Sequence, residues 1–313
     1  MELYAATWDF LTALPTVQAW PDLQQFLERV FRNKPPHWRM AARACLATGG
    51  TLPQAIPAVA AMSSLFLSIV LIDDLLDDDP KGQHLTLGIG PTANMASALQ
   101  AIGLEAIAHS DLPAPAQATI VHRLNDMILQ TTLGQYLDTQ NACDEEAYWR
   151  ITHTKSSPYF ATSFLVGASM SGAPEETVAR LGEIGAIYGE MIQLNDDLND
   201  VLAVPADPDW LQGRYPLPIL YATLVPHPER ERFIALRAQV HEEEALAEAQ
   251  AILIRSGAIS YGIDQLLQRA QKLTDLLHQT PLAQPELVEE MMDGVLNPVK
   301  NLLAQMDELK QAA

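Results

Sequence analysis

Five carboxylates crowd into seven residues of this chain. Asp73, Asp74, Asp77, Asp78 and Asp79 follow directly on Ala55–Ile72, eighteen residues without a single charge. Carboxylates this close repel one another, and beside an apolar wall each also loses hydration. Such a cluster calls for a cation to hold it. On a helix, Asp73 and Asp77 project from one face a turn apart, with Asp74 beside them. Hard oxygen donors in this arrangement suit Mg2+, which takes one or two carboxylates and completes its shell with substrate phosphates. The pattern recurs 123 residues later, where Asp196, Asp197 and Asp200 repeat the i, i+1, i+4 spacing with Asn195 and Asn199 alongside. A single acidic helix face is usually just solvated. Two copies, each embedded in an apolar helix, point to a pair of metal-binding motifs.

The elements that must carry these motifs are helical. Apolar residues recur at spacings of three and four throughout, and alternating β-branched runs are scarce. Pro and Gly fall between the periodic segments. The pattern predicts helices near 22–31, 38–48, 54–78, 91–109, 115–139, 145–152, 156–171, 175–202, 209–223, 229–255, 258–279 and 284–311. Connections are short, so neighbouring helices should run antiparallel in an all-α bundle, a single domain over 1–313. Asp207-Pro208-Asp209 and Asp111–Pro115 read as ordinary loops. No repeat appears beyond the duplicated acid motif.

Composition narrows the function. The chain has 313 residues, 48% of them apolar, and a formal charge of -20. That balance opposes binding to nucleic acid or to an anionic membrane, both of which need basic patches. Phosphorylated ligands then require bridging metal. Cys45 and Cys143 are too few for a disulfide framework and lack metal-ligand spacing, which fits a cytoplasmic protein. Met1-Glu2-Leu3-Tyr4 has no basic n-region, so no signal peptide is expected. Ala55–Ile72 is just long enough to cross a membrane, but Pro57, three serines and the lack of basic flanks favour a buried core helix. His241-Glu242-Glu243-Glu244 lacks the HExxH spacing and reads as a solvated face.

The two acid motifs resemble the paired DDxxD motifs of trans-type isoprenyl diphosphate synthases, the polyprenyl synthetase family, and the resemblance runs from about Lys34 to Pro218. Lys34 and Arg39 fall where that family has a Gly-Lys-Arg-x-Arg-Pro motif that binds the diphosphate of isopentenyl diphosphate. Phe66 stands seven residues before the first Asp, where the family usually has His or Gln contacting that substrate. Ser68, five before, occupies a position that often gauges pocket depth, and a small residue there implies a prenyl chain longer than C15. After the first motif the family has Arg-Arg-Gly. Here the chain reads Asp79-Pro80-Lys81-Gly82, without either arginine. Gln135 lies in Gly134-Gln135-Tyr136-Leu137-Asp138, similar to the family's Gly-Gln-x-x-Asp element. Lys155 matches the lysine that reaches the allylic diphosphate, Gln193 precedes the second motif as in the family, and Arg214 replaces a lysine that touches diphosphate.

The resemblance implies an isoprenoid synthase fold, a helix bundle around a central apolar cavity, and a homodimer. It also implies that Asp73, Asp74 and Asp77, facing Asp196, Asp197 and Asp200, hold two or three Mg2+ ions. These, with Lys155 and Arg214, would bind an allylic prenyl diphosphate and stabilise its departing diphosphate. Phe66 or Tyr159 would offer a π face to the allylic cation. The nucleophile stays open at this point: isopentenyl diphosphate, another acceptor, or the substrate's own double bond in a terpene cyclase. A noncatalytic subunit of a heteromeric synthase is a further alternative, which the retained carboxylates oppose.

Overall fold

A computed structural model describes residues 2–311. Those residues form seventeen α-helices and one short 3-10 turn, and no strand is found among them. Two compact units emerge. One comprises Met1–Thr131, Pro158–Gly185 and Leu276–Val288, the other Thr132–Ser157, Ala186–Asp275 and Glu289–Ala313.

The first unit is built on the helix Leu52–Leu76. A capping box of Thr51 and Gln54 starts it, with Pro at the second helical position. Its apolar residues lie on all sides, the composition of a helix packed all round. By length and composition it is fit to cross a membrane, yet 78% of its most apolar window is buried inside the protein. It packs against Leu3–Thr12, Met40–Ala47 and Ile89–Ala108. Gly103 makes the last contact close, because a Cβ there would lie 2.8 Å from Leu65 Cγ and 3.0 Å from the Ala61 carbonyl.

The second unit is centred on Trp210 and Phe233, whose rings meet edge to face at 6.1 Å among Val201, Ile219, Leu236, Leu246 and Ile252. The Trp210 indole donates to the Val201 carbonyl at 3.2 Å and so needs no water.

Two helices expected as continuous are broken. The segment 209–223 divides into Pro208–Leu211 and Leu217–Leu224. Tyr215 and Leu217 each precede a proline, and that position disfavours the helical backbone. The segment 229–255 divides into Arg230–Arg237 and Glu243–Arg255. Glu243 and Glu244 lie in the first turn of the second piece, where the positive end of the helix dipole favours them. The helix Leu3–Thr12 lay outside the sequence-based assignment.

Candidate functional site

Both acid motifs sit where the backbone opposes them. Asp73 and Asp74 fall in the last turn of Leu52–Leu76, with Asp77 as its C-cap, and Asp196, Asp197 and Asp200 end the helix Glu175–Asp200. Neither last turn contains a basic residue. A helix C-terminus carries partial negative charge, so carboxylates gathered there are disfavoured until a cation arrives. In the first unit, burial raises the pKa of Asp74, the Gln83 backbone N–H opposes this, and the charges of Asp79 and Asp73 add to it. The Gln83 N–H reaches Asp74 Oδ2 at 3.4 Å.

Two turns before Asp73, on the same helix face, Phe66 is half-buried. His37 lies on its ring at 4.0 Å between centroids, and Tyr159 flanks it at 5.1 Å. The imidazole is pushed down to about 4 by burial, so it is neutral at physiological pH. Its Nε2 and the Tyr159 hydroxyl have no hydrogen-bond partner among the described residues. His37 was missed in the sequence, although it stands between Lys34 and Arg39. Those two turn elsewhere, toward Tyr4. Lys34 pairs with Glu2, Arg39 Nε donates to the Tyr4 hydroxyl at 3.1 Å, and both line a cavity of about 380 Å³ with Arg43 and Leu46. Ser68 is fully buried in the helix.

The second unit brings more of the expected residues together. Asp197 is 3% exposed and fully engaged. Its Oδ2 accepts from the Tyr148 hydroxyl and the Leu217 backbone N–H, each at 2.8 Å, and its Oδ1 accepts from Gln193 Nε2 at 2.8 Å. Gln193 Oε1 in turn accepts from the Ser156 hydroxyl at 2.6 Å. Burial raises the Asp197 pKa and these three bonds oppose the rise. Asp196 and Asp200 are left facing outward. Asp196, although exposed as a residue, is pushed up to about 6 by burial of its carboxylate and the charge of Asp197. Asp200 reaches about 7 through burial and its acidic neighbours, Asp207 foremost.

The loop after this helix adds two carboxylates beside the motif. Asp200, Asp207 and Asp209 each offer a carboxylate oxygen within 4.8 Å of the others. Asp209 is likewise pushed up to about 7 by burial, Arg214 partly opposing this. The available signal was an acidic pair flanking Pro208, seven and nine residues beyond the third Asp of the motif.

Lys155 and Arg214 meet at Asp138. Its Oδ2 accepts from Lys155 Nζ at 2.6 Å and from Arg214 Nη1 at 3.0 Å. Gly134 brings this about, because a Cβ there would lie 2.2 Å from the Lys155 backbone nitrogen. The helices Ala114–Asp138 and Glu145–Lys155 therefore touch backbone to backbone at Gly134. Asp138, one turn further along the same face, then faces the lysine. Gln135 is buried beside it in sequence.

The donor set fits a divalent cation. Carboxylates are hard donors, those of both motifs are crowded at helix C-termini, and burial with neighbouring charge raises the pKa of Asp196 to about 6 and of Asp200 and Asp209 to about 7.

A family profile described as polyprenyl synthetase matches residues 24–253. A dimethylallyltranstransferase of Mycobacterium tuberculosis is 29% identical over 146 residues, 45% of this chain and 44% of that protein. The heptaprenyl diphosphate synthase component 2 of Geobacillus stearothermophilus is 36% identical over 140 residues, 41% of this chain and 42% of that protein. The alignments thus span less than half the length of either relative. A geranylgeranyl pyrophosphate synthetase of Pyrococcus horikoshii superposes with a TM-score of 0.83 over 94% of each chain at 18% identity. At that identity the match establishes the fold, an all-α isoprenoid synthase bundle.

Proposed function

The chain belongs to the polyprenyl synthetase family, and we propose that it is a Mg2+-dependent prenyltransferase that ionises an allylic prenyl diphosphate and transfers the prenyl group to isopentenyl diphosphate, lengthening the chain. The observation that carries this reading is the placement of both Asp motifs at helix C-termini whose last turns hold no basic residue, where a bound cation would offset the crowded carboxylates. The relatives above are named for prenyl transfer and prenyl diphosphate synthesis, which supports elongation over cyclisation.

Asp73, Asp74 and Asp77 in one unit, and Asp196 and Asp200 in the other, would hold two or three Mg2+ ions. These would supply charge neutralisation for the departing diphosphate. Lys155 and Arg214 bind diphosphate oxygens directly. Asp197 holds Gln193 in place and orients the outward carboxylates, its own oxygens being filled. Phe66, two turns from Asp73, and Tyr159 beside it would help keep water from the allylic cation, and a ring face turned to the cation would add cation–π attraction of about 2 kcal/mol when desolvated. The helix that holds Ser68 would line the prenyl tail in part.

One observation favours a second acceptor. The neutral His37 ring covers Phe66 at the position where the family usually has a His or Gln contacting isopentenyl diphosphate, while Lys34 and Arg39 turn to Tyr4. An uncharged acceptor fits such a surface. We further read the protein as a cytoplasmic homodimer. Both cysteines are free thiols, and Leu129, Leu133 and Tyr136 form an exposed apolar stripe on one face of Ala114–Asp138.

The test is a product assay on the purified chain with Mg2+. Geranyl, farnesyl and geranylgeranyl diphosphates are supplied with and without isopentenyl diphosphate, and the products are identified by mass spectrometry. Longer prenyl diphosphates appearing only with isopentenyl diphosphate support elongation. Hydrocarbon or alcohol from the allylic substrate alone defeats it. Asp73→Ala and Asp196→Ala should each abolish turnover, and wild-type rates in either would sink the metal mechanism.

A further inference from the structure

We infer that Asp138 is a placeholder for the substrate's diphosphate: it holds Lys155 and Arg214 in the ligand-free protein and releases both when a diphosphate arrives. The inference rests on the reading of Lys155 and Arg214 as diphosphate-binding groups and adds a positioning residue that competes with the ligand.

One oxygen, Asp138 Oδ2, accepts from both cations, at 2.6 Å from Lys155 Nζ and 3.0 Å from Arg214 Nη1. The three side chains are about equally shielded, at 20%, 21% and 17% exposure for Asp138, Lys155 and Arg214. Asp138 is also the last residue of its helix, where the dipole disfavours negative charge. The carboxylate is thus held by the cations more than by its own surroundings.

The geometry suits exchange. Gly134 fixes the two helix backbones against each other, so Asp138 cannot follow the cations outward. The backbone of Arg214 is anchored separately, since its carbonyl accepts from Arg237 Nη2 at 2.8 Å, and that guanidinium lies 4.1 Å from the Tyr215 ring centroid. Arg214 Nε bonds Gln212 Oε1 at 3.0 Å and lies 3.8 Å from Asp209. Both cations sit on long side chains, whose rotation can move the charge without moving the backbone. A single carboxylate offers one negative charge to two cations. A diphosphate offers more charge and separate oxygens for an ammonium and a guanidinium fork. Ligand affinity is then set by the difference between the two partnerships, and Asp138 subtracts from it.

The experiment measures binding of inorganic pyrophosphate to the full chain at saturating Mg2+ by calorimetry, comparing wild type with Asp138→Asn and Asp138→Glu. Asp138→Asn is expected to bind about tenfold more tightly than wild type, because no charge competes. Asp138→Glu, which keeps the charge, stays within about threefold of wild type. With the allylic substrate, Asp138→Asn lowers KM more than it changes kcat, which loss of a purely structural residue would not do. Equal or weaker pyrophosphate binding by Asp138→Asn overturns the placeholder role while leaving the diphosphate assignment standing. No binding by wild type overturns that assignment and the inference with it. Should Asp138→Asn fail to fold, a wild-type structure with pyrophosphate decides. Both cations must have left Asp138, and an intact pair beside bound pyrophosphate refutes the exchange.

Discussion

Gly134 and Lys155 are in backbone contact, so close that a single added carbon on Gly134 would lie 2.2 Å from the lysine nitrogen and 2.3 Å from the preceding carbonyl carbon. The obstacle is main chain and cannot rotate away. Gly134→Ala must separate two helices and carry Asp138 off its partners. We expect a loss of about 1–3 kcal/mol in urea unfolding together with altered pyrophosphate affinity. An alanine variant as stable as wild type would show that the helices are not so tightly apposed.

Asp197 depends on its donors. Tyr148→Phe removes the hydroxyl that reaches Asp197 Oδ2 at 2.8 Å and leaves a buried carboxylate one bond short. The expected cost is about 1–3 kcal/mol, read from the shift in urea midpoint at unchanged slope. A shift below about 0.5 kcal/mol would mean that water replaces the phenol.

The raised carboxylates make metal-free stability pH-dependent. Asp200 and Asp209 rise from 3.8 to about 7, and Asp196 to about 6. Between these values and their ordinary one, the folded protein binds more protons than the unfolded chain. Stability therefore falls as pH rises through this window and levels off above it. Glu190, held low by His153 and Arg269 against its burial, acts in the opposite sense only at more acid pH. In EDTA, Tm should decline from pH 5 to pH 8. Saturating Mg2+ should flatten the decline, since the ion takes the place of the protons. A Tm in EDTA that rises over this range would contradict the crowding described above.

The residues Leu129, Leu133 and Tyr136, exposed by 68%, 51% and 60%, form an apolar row on one helix face and are the candidate contact of the proposed dimer. Leu129→Glu combined with Leu133→Glu should convert a dimer to a monomer in light scattering, with helical circular dichroism retained. Wild type that is already monomeric at micromolar concentration would remove the homodimer from the reading.

The Asp73 and Asp196 motifs were legible from spacing alone, because helical periodicity places i, i+1 and i+4 together in any helix. Lys155 and Arg214 came from resemblance to a family and not from any local property. Tyr148 and His37 were illegible, and the Asp207–Asp209 pair offered only its closeness to the second motif. An isolated tyrosine, a histidine beside a tryptophan and an acidic loop have no period to betray them. The same limit applied to Asp197, which looks like Asp196 in sequence and differs only in what surrounds it.

The sequence by itself determined that this is an all-helical chain with two carboxylate clusters at the ends of apolar helices. Composition and a period of 3.6 are local properties that survive without knowledge of the fold. Tertiary structure decided which carboxylates face outward and which is spent on hydrogen bonds. It decided that Lys34 and Arg39 turn to Tyr4 while His37 covers Phe66, and that one aspartate holds two cations. Those outcomes depend on distances between residues far apart in the chain. Such distances are set by packing at places such as Gly103 and Gly134, where the absence of a side chain lets two backbones meet.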